Sequence, residues 1–170
     1  RSERFIYNKN YFGTNLRITE MQSIAGLEQF KDLKKIQLKR EKMAKDYYDI
    51  VLKYQNYFFS YYPPKEIKSA WYRFYFFLKP DIKNYKKIRF KIIKNLKNDG
   101  IKCFTGACPE IYLEKSFKNL KNFKPIRLKI CKLLGQASIA LDMNHTLEYS
   151  VHKKNLKKFK RTIEKIIYKI

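Results

Sequence analysis

The chain has 170 residues, 45% of them hydrophobic, and carries 39 Lys and Arg against 15 Asp and Glu, a formal charge of +24. That length suits one domain with a modest core, and no apolar run approaches the roughly 20 residues needed to cross a bilayer. The three cysteines, Cys103, Cys108 and Cys131, form no even framework; with no signal-peptide pattern, they point to a reducing cytoplasm.

The charge has two readings. A strongly basic balance is the footprint of a nucleic-acid or anionic-surface binder. Yet Lys, Ile, Asn, Tyr and Phe are abundant together, with 14 Tyr and 13 Phe, while Gly and Pro number 5 each. Codons for the abundant set are rich in A and T, and the lysines are spread over every segment. A dedicated footprint gathers on one face, so compositional bias explains the charge better and nucleic acid is not expected as a partner. A metal is not expected either. Cys103 and Cys108 are spaced C-x4-C with no second pair and only two histidines in the chain, short of the about four ligands of a zinc site.

Residues 1–12 hold Phe5, Ile6, Tyr7, Tyr11 and Phe12 without a period. The chain starts on Arg rather than Met, and residues 1–18 read as a segment crossing from a missing larger domain. In Gly13-Thr14-Asn15-Leu16-Arg17-Ile18-Thr19-Glu20, the glycine permits a tight turn. Thr19, followed by Gln22, makes a capping box that starts a helix. An exposed turn feeding a helix N-terminus suits an anion. Arg17 either serves that anion or pairs with Glu20, one turn away.

From Thr19 to about Gln55 there is no proline, and Ile36, Arg40, Met43, Tyr47, Ile50 and Tyr54 recur at three- and four-residue steps, an amphipathic stripe. One helix over that span would run on the order of 55 Å, long enough to bridge two domains; the competing reading breaks it near residues 31–35, where the period slips. Gly26 inside it costs about 1 kcal/mol relative to Ala, which close approach of another helix would offset. Pro63-Pro64 closes the region.

Residues 70–78 are an aromatic and aliphatic run closed by Pro80, predicted as a central strand buried on both faces; a base-stacking platform of Trp71, Tyr72, Phe74 and Tyr75 is the weaker alternative. Residues 82–99 show helical spacing, stopped by Gly100 as a C-terminal cap. A short strand follows at 101–104, then a long loop over 105–124. Pro125 begins a helix closed by Gly135, a third strand spans 136–142, and a helix with a lysine-rich outer face starts near Tyr149. The expected fold is α+β: a small three-stranded sheet with helices on one face, plus the long N-terminal bridging helix. The divisions are 1–18, 19–62 and 63–170.

Three stretches carry a family resemblance. The run from Gly13 through Glu20 and on through Met21-Gln22-Ser23-Ile24-Ala25-Gly26-Leu27-Glu28-Gln29-Phe30 resembles the Gly-x-Asn-x-Arg-x-Thr-Glu-x-Gln-x-x-x-Gly-Leu-x-Gln-Leu signature of the DegT-type aminotransferases. Cys108-Pro109-Glu110-Ile111-Tyr112-Leu113-Glu114-Lys115-Ser116-Phe117 is similar to a loop motif in part of that family. Ser69-Ala70-Trp71-Tyr72-Arg73-Phe74-Tyr75 is similar to the first strand of its small domain. These are pyridoxal-phosphate enzymes acting on nucleotide-linked keto sugars, of the kind used in cell-surface polysaccharide biosynthesis.

The resemblance covers the C-terminal part of the family only, the small domain of fold-type-I transferases. It implies a homodimer through the N-terminal turn and long helix. It further implies that Asn15 reaches a neighbouring subunit's site and donates to the cofactor phosphate. Arg17 would contact the substrate diphosphate, and Glu110 and Tyr112 would line the sugar pocket; the last two serve equally as anchors of their own loop. The lysine that holds pyridoxal phosphate comes, in the family, from the large domain, so no catalytic residue is assigned here and the chain alone is expected to be inactive. Aligned on Thr146, the family's His-Pro-Thr finds Asn144 at its histidine and His145 at its proline, so no histidine role carries over. His152, at the start of a basic helix, is given no role. The reading is therefore the C-terminal part of a sugar aminotransferase taking its amino group from glutamate. The alternatives are a basic module binding nucleic acid or an anionic surface, and a gene remnant without function.

Overall fold

The computed structural model describes residue 13, residues 17–106 and residues 108–168. Its helices are α1 (Glu20–Lys31), α2 (Leu33–Lys53), α3 (Tyr85–Asn98), the one-turn α4 (Lys115–Lys118), α5 (Lys129–Ala137) and α6 (Tyr149–Ile167). The strands are β1 (Phe58–Ser60), β2 (Arg73–Leu78), β3 (Cys103–Phe104) and β4 (Ser138–Asp142). The fold is α+β, as expected, but the sheet has four strands rather than three, all antiparallel, in the order β1-β2-β4-β3. The extra strand is β1, whose Phe58 pairs with Leu78 and whose Ser60 pairs with Phe76. Only three residues long, it is too short to show an alternation.

β2 is central, and its side chains alternate. Phe74, Phe76 and Leu78 are fully buried, whereas Arg73, Tyr75 and Phe77 are half-exposed, as a strand with one core face requires; the expected burial of both faces is not found. Across the ladder Phe76 sits opposite Ile139 and Phe74 opposite Leu141. Onto this face α2 lays Met43, Ala44, Tyr47 and Val51, α3 lays Ile92, Ile93 and Leu96, and α6 lays Phe159, Ile163 and Ile166. Part of the high aromatic content is spent here. Phe159 meets Tyr47 and Phe76 edge-on at 5.1 and 5.5 Å, and Phe58 meets Phe76 at 5.7 Å, geometries that the ring quadrupole favours. Trp71 is buried against Tyr62, with Phe74 beyond; of the four supposed platform residues only Tyr72 is well exposed.

The helix expected to run unbroken from Thr19 is interrupted at Asp32, whose N–H turns back to Gln29 and Phe30 carbonyls; the break falls where the apolar period slips. α2 presents one buried stripe, but α1 buries nothing: Met21, Ile24, Leu27 and Phe30 are all exposed, Met21 at 82%. An added Cβ at Gly26 would meet no atom within 4 Å, so no close approach by the rest of the described chain explains that glycine.

Gly100 ends α3 as expected, at φ +80°. Its N–H reaches Lys97 O at 3.0 Å and the Ile101 N–H reaches Leu96 O at 2.9 Å, the paired bonds of a Schellman motif with buried Ile101 and Leu96 as its apolar contact. α5 departs from expectation at both ends. It begins at Lys129, not Pro125, and it runs through Gly135 instead of stopping there. His152, given no role above, is fully buried and ties α6 to α2 through Asp46.

Candidate functional site

The turn into α1 begins the candidate site. Thr19 Oγ1 accepts from the Gln22 N–H at 3.3 Å, and Gln22 Oε1 accepts from the Thr19 N–H at 3.0 Å. This is the reciprocal cap that the two residues predict, with Glu20 in the first turn complementing the helix dipole. Arg17 is exposed, and no Arg17–Glu20 ion pair forms among the described residues. Asn15 lies outside the described residues.

The second part is the loop between β3 and α5, which is stapled to the sheet at several points. At its start Gly106 adopts φ +98°, and a Cβ there would come within 2.7 Å of Ser138 Oγ. That hydroxyl donates to Thr105 O at 2.7 Å. The buried Arg89 of α3 donates to Gln136 O at 2.8 Å and to Gly135 O at 3.2 Å, joining α3 to the end of α5. Pro109 then packs directly on Gly135, where any side chain would collide with its ring; that contact, not helix termination, is why position 135 is glycine.

Beyond Pro109 the chain turns inward at Glu110, which is 5% exposed. Its carboxylate takes a two-pronged bond from Arg127, Nε to Oε1 at 2.8 Å and Nη2 to Oε2 at 3.0 Å. Tyr112 donates its hydroxyl to Glu110 Oε1 at 2.9 Å and accepts from the Leu128 N–H at 2.9 Å. A buried carboxylate needs such partners, and the bond to Glu110 in turn raises the pKa of Arg127. So the structure brings two of the sequence-derived site residues together, Glu110 and Tyr112, and adds a third, Arg127. Burial raises the neighbouring Cys108 thiol pKa.

Arg89 and Arg127 escape the sequence reading for different reasons. Arg89 stands at the spacing of Tyr85, Ile92, Ile93 and Leu96, so an arginine on a buried stripe was there to be read. Arg127 finds its partner 17 residues away across an irregular loop, and nothing local marks it. His145, in the loop after β4, has its Nδ1 3.2 Å from Arg40 Nη2. Among the described residues no group of three or more His, Cys, Asp or Glu is placed to hold a metal ion, and no helix is long and apolar enough to cross a membrane.

This arrangement, an antiparallel sheet backed by helices with a capped helix start beyond it, is similar to part of solved aminotransferases. The chain is similar to the X-ray structure of an aminotransferase from Psychrobacter cryohalolentis, with a TM-score of 0.73 and 27% identity, over 100% of this chain and 44% of that one. It is also similar to Helicobacter pylori PseC, an aminotransferase involved in the biosynthesis of pseudoaminic acid, with a TM-score of 0.70 and 26% identity, over 90% of this chain and 39% of that one. It shares the fold of an E. coli GDP-4-keto-6-deoxy-D-mannose-3-dehydratase with bound hydrated PLP, with a TM-score of 0.59 and 23% identity, over 86% of this chain and 36% of that one. The chain thus spans less than half the length of each. Comparison with curated proteins returned no match. Residues 1–155 match the model of the DegT/DnrJ/EryC1/StrS aminotransferase family, and the chain belongs to that family.

Proposed function

We propose that this chain is the C-terminal part of a sugar aminotransferase that moves an amino group from glutamate onto a nucleotide-linked keto sugar. It supplies one half of a site that the rest of the parent enzyme and a second subunit complete. One observation carries the reading: the family match runs through the Gly13–Phe30 signature, and Thr19 and Gln22 of that signature cap a helix that nothing in the described chain covers.

Pyridoxal phosphate, the cofactor of this family, supplies an electron sink at the substrate carbon when bound. The residues described here fit its phosphate end and not its covalent end. The N-terminus of α1 favours an anion such as the cofactor phosphate, and the exposed Arg17 just before it is left for the substrate. No lysine among the described residues is buried, so none offers the desolvated amine that a covalent anchor uses. That anchor is assigned to the part of the parent that this chain does not span.

Asn15 then donates an amide N–H to the cofactor phosphate of the neighbouring subunit, a donor that adds no further charge. Arg17 grips the substrate diphosphate with its two-pronged guanidinium. Glu110 holds Arg127 and Tyr112 in place, and their exposed edges line the sugar pocket. The second subunit packs on α1, whose apolar side chains and open surface at Gly26 await a partner.

The test joins this chain to the portion of the Psychrobacter cryohalolentis enzyme that it does not cover. The joined protein is expected to transfer amino groups from glutamate to a nucleotide-linked keto sugar. Asn15→Ala should cut retention of the cofactor through gel filtration at least tenfold, and Arg17→Gln should raise KM for the sugar and not for glutamate. Amino transfer and cofactor retention that ignore Asn15→Ala would overturn the reading.

A further inference from the structure

The break between α1 and α2 faces the loop after β4, and the two flank a solvent-open cavity of about 260 Å³ lined by Asp32, Lys35, Ile36, Lys39 and His145. Lys35 and Lys39 stand one helical turn apart on the same face of α2. Like charges at that spacing destabilise a helix, and neither has an ion-pair partner among the described residues. Lys39 is half-buried, so water screens its charge less than that of a free surface lysine.

His145 adds a donor. Arg40 Nη2 lies 3.2 Å from His145 Nδ1. A guanidinium has only protons to give, so Nδ1 accepts and the proton of the neutral ring sits on Nε2. Arg40 Nε is itself buried without a partner among the described residues. Two lining cations, Lys35 and Lys39, and Arg40 behind His145 thus stand against one carboxylate among the described lining residues, Asp32, with an imidazole N–H beside them. The cluster has a surplus of two positive charges and a shortage of acceptors.

We propose that this cavity binds a phosphoryl anion, a phosphate ester or a diphosphate, between the ammonium groups of Lys35 and Lys39 and the Nε2–H of His145. A dianion matches the surplus charge, where a lone carboxylate leaves half of it uncompensated. Several oxygens on one group also suit donors drawn from a helix and from a facing loop that line the same cavity. The site stands on these residues alone, independent of any aminotransferase activity.

The test titrates the 170-residue chain with inorganic diphosphate at constant ionic strength and follows the histidine ring protons by NMR. The chain has two histidines, so the buried His152 serves as an internal reference for folding. His145 is expected to shift saturably while His152 stays fixed. The Lys35→Gln/Lys39→Gln pair should weaken binding at least tenfold, and a Lys154→Gln/Lys157→Gln pair on the exposed face of α6 should leave it unchanged. A nucleoside diphosphate that moves His145 at concentrations where the free nucleoside does not identifies the phosphoryl group as what is recognised. An unmoved His145 overturns the proposal. So does equal weakening by the two lysine pairs, which would reduce the effect to net charge.

Discussion

His152 Nε2 and Asp46 Oδ2 lie 2.9 Å apart and join α6 to α2 over a sequence separation of 106 residues. The imidazole is 1% exposed, with the ring of Tyr47 edge-on at 5.4 Å and that of Tyr149 at 6.0 Å. Its Nδ1 is buried without a partner among the described residues, so the bond to Asp46 is its one polar tether. Removing the ring opens a void and leaves Asp46 unmatched. His152→Ala should therefore cost about 2–4 kcal/mol in urea unfolding. Asp46→Ala should cost less, about 1–2 kcal/mol, because that carboxylate is partly in water. Losses below the error of the extrapolation for both variants would show that the pair is not a structural clasp.

Gly135 gives a sign test. In a helix interior, replacing Gly with Ala ordinarily stabilises by about 0.5–1 kcal/mol. Here the new methyl would run into the Pro109 ring, and overpacking of this kind costs about 1–3 kcal/mol. Gly135→Ala should therefore destabilise, and Pro109→Gly in the same chain, which removes both the Cβ and the Cγ that the methyl would meet, should recover most of the loss. Thermal unfolding of the two single variants and the double variant separates the terms; a stabilised Gly135→Ala would mean that the Pro109 loop yields freely.

Much of this fold is legible in the sequence where periodicity is strong and long. The stripes of α3 and α6, the Thr19–Gln22 box and the Gly100 cap each follow from residues within a turn or two of one another, so local chemistry suffices to place them. β1 is hidden because three residues cannot alternate visibly. Gly135 misleads because the same residue both ends helices and admits a close neighbour, and only the tertiary contact with Pro109 decides between them. His152 is masked by the lysines around it in sequence, although its spacing to Leu156, Phe159 and Ile163 places it on the buried stripe of α6. At the candidate site, the capped turn was readable, but the Glu110–Arg127 pair needed the path of a long loop, which no local rule supplies.

Alkaline pH should weaken the fold in a defined window. Burial pushes the Cys103 thiol up from 9.0 to about 11. Tyr54 is pushed from 10.0 to about 12, by burial first and then by its 2.6 Å bond to Glu164. Burial raises Tyr47 still further. Each group keeps its proton in the folded chain at pH values where the unfolded chain has lost it. The folded state therefore binds more protons, and stability falls as pH rises. It should be flat up to about pH 8 and decline from about pH 9 through 12, given the ordinary thiol and phenol values. Cys103→Ala should flatten the first part of that decline. A stability that rises across the same range in urea titrations would reverse the assignment of these groups as buried and neutral.

The last expectation concerns α1. Apolar side chains recurring at three-residue steps along a helix ordinarily face a core, yet Met21, Ile24, Leu27 and Phe30 are all exposed, and the helix buries no residue. If a second subunit covers it, charge on this surface should break association without touching the fold. Leu27→Glu/Phe30→Glu is expected to leave thermal stability within about 0.5 kcal/mol of the parent chain, as for surface positions. The same pair should turn a self-associating chain into a monomer in sedimentation velocity. A Cβ added at Gly26 meets no atom within 4 Å in the described chain, so Gly26→Leu should do the same only if another backbone approaches there. Unchanged association in both variants would place the subunit contact elsewhere. Lost stability in the monomer would mean that α1 packs on its own chain after all.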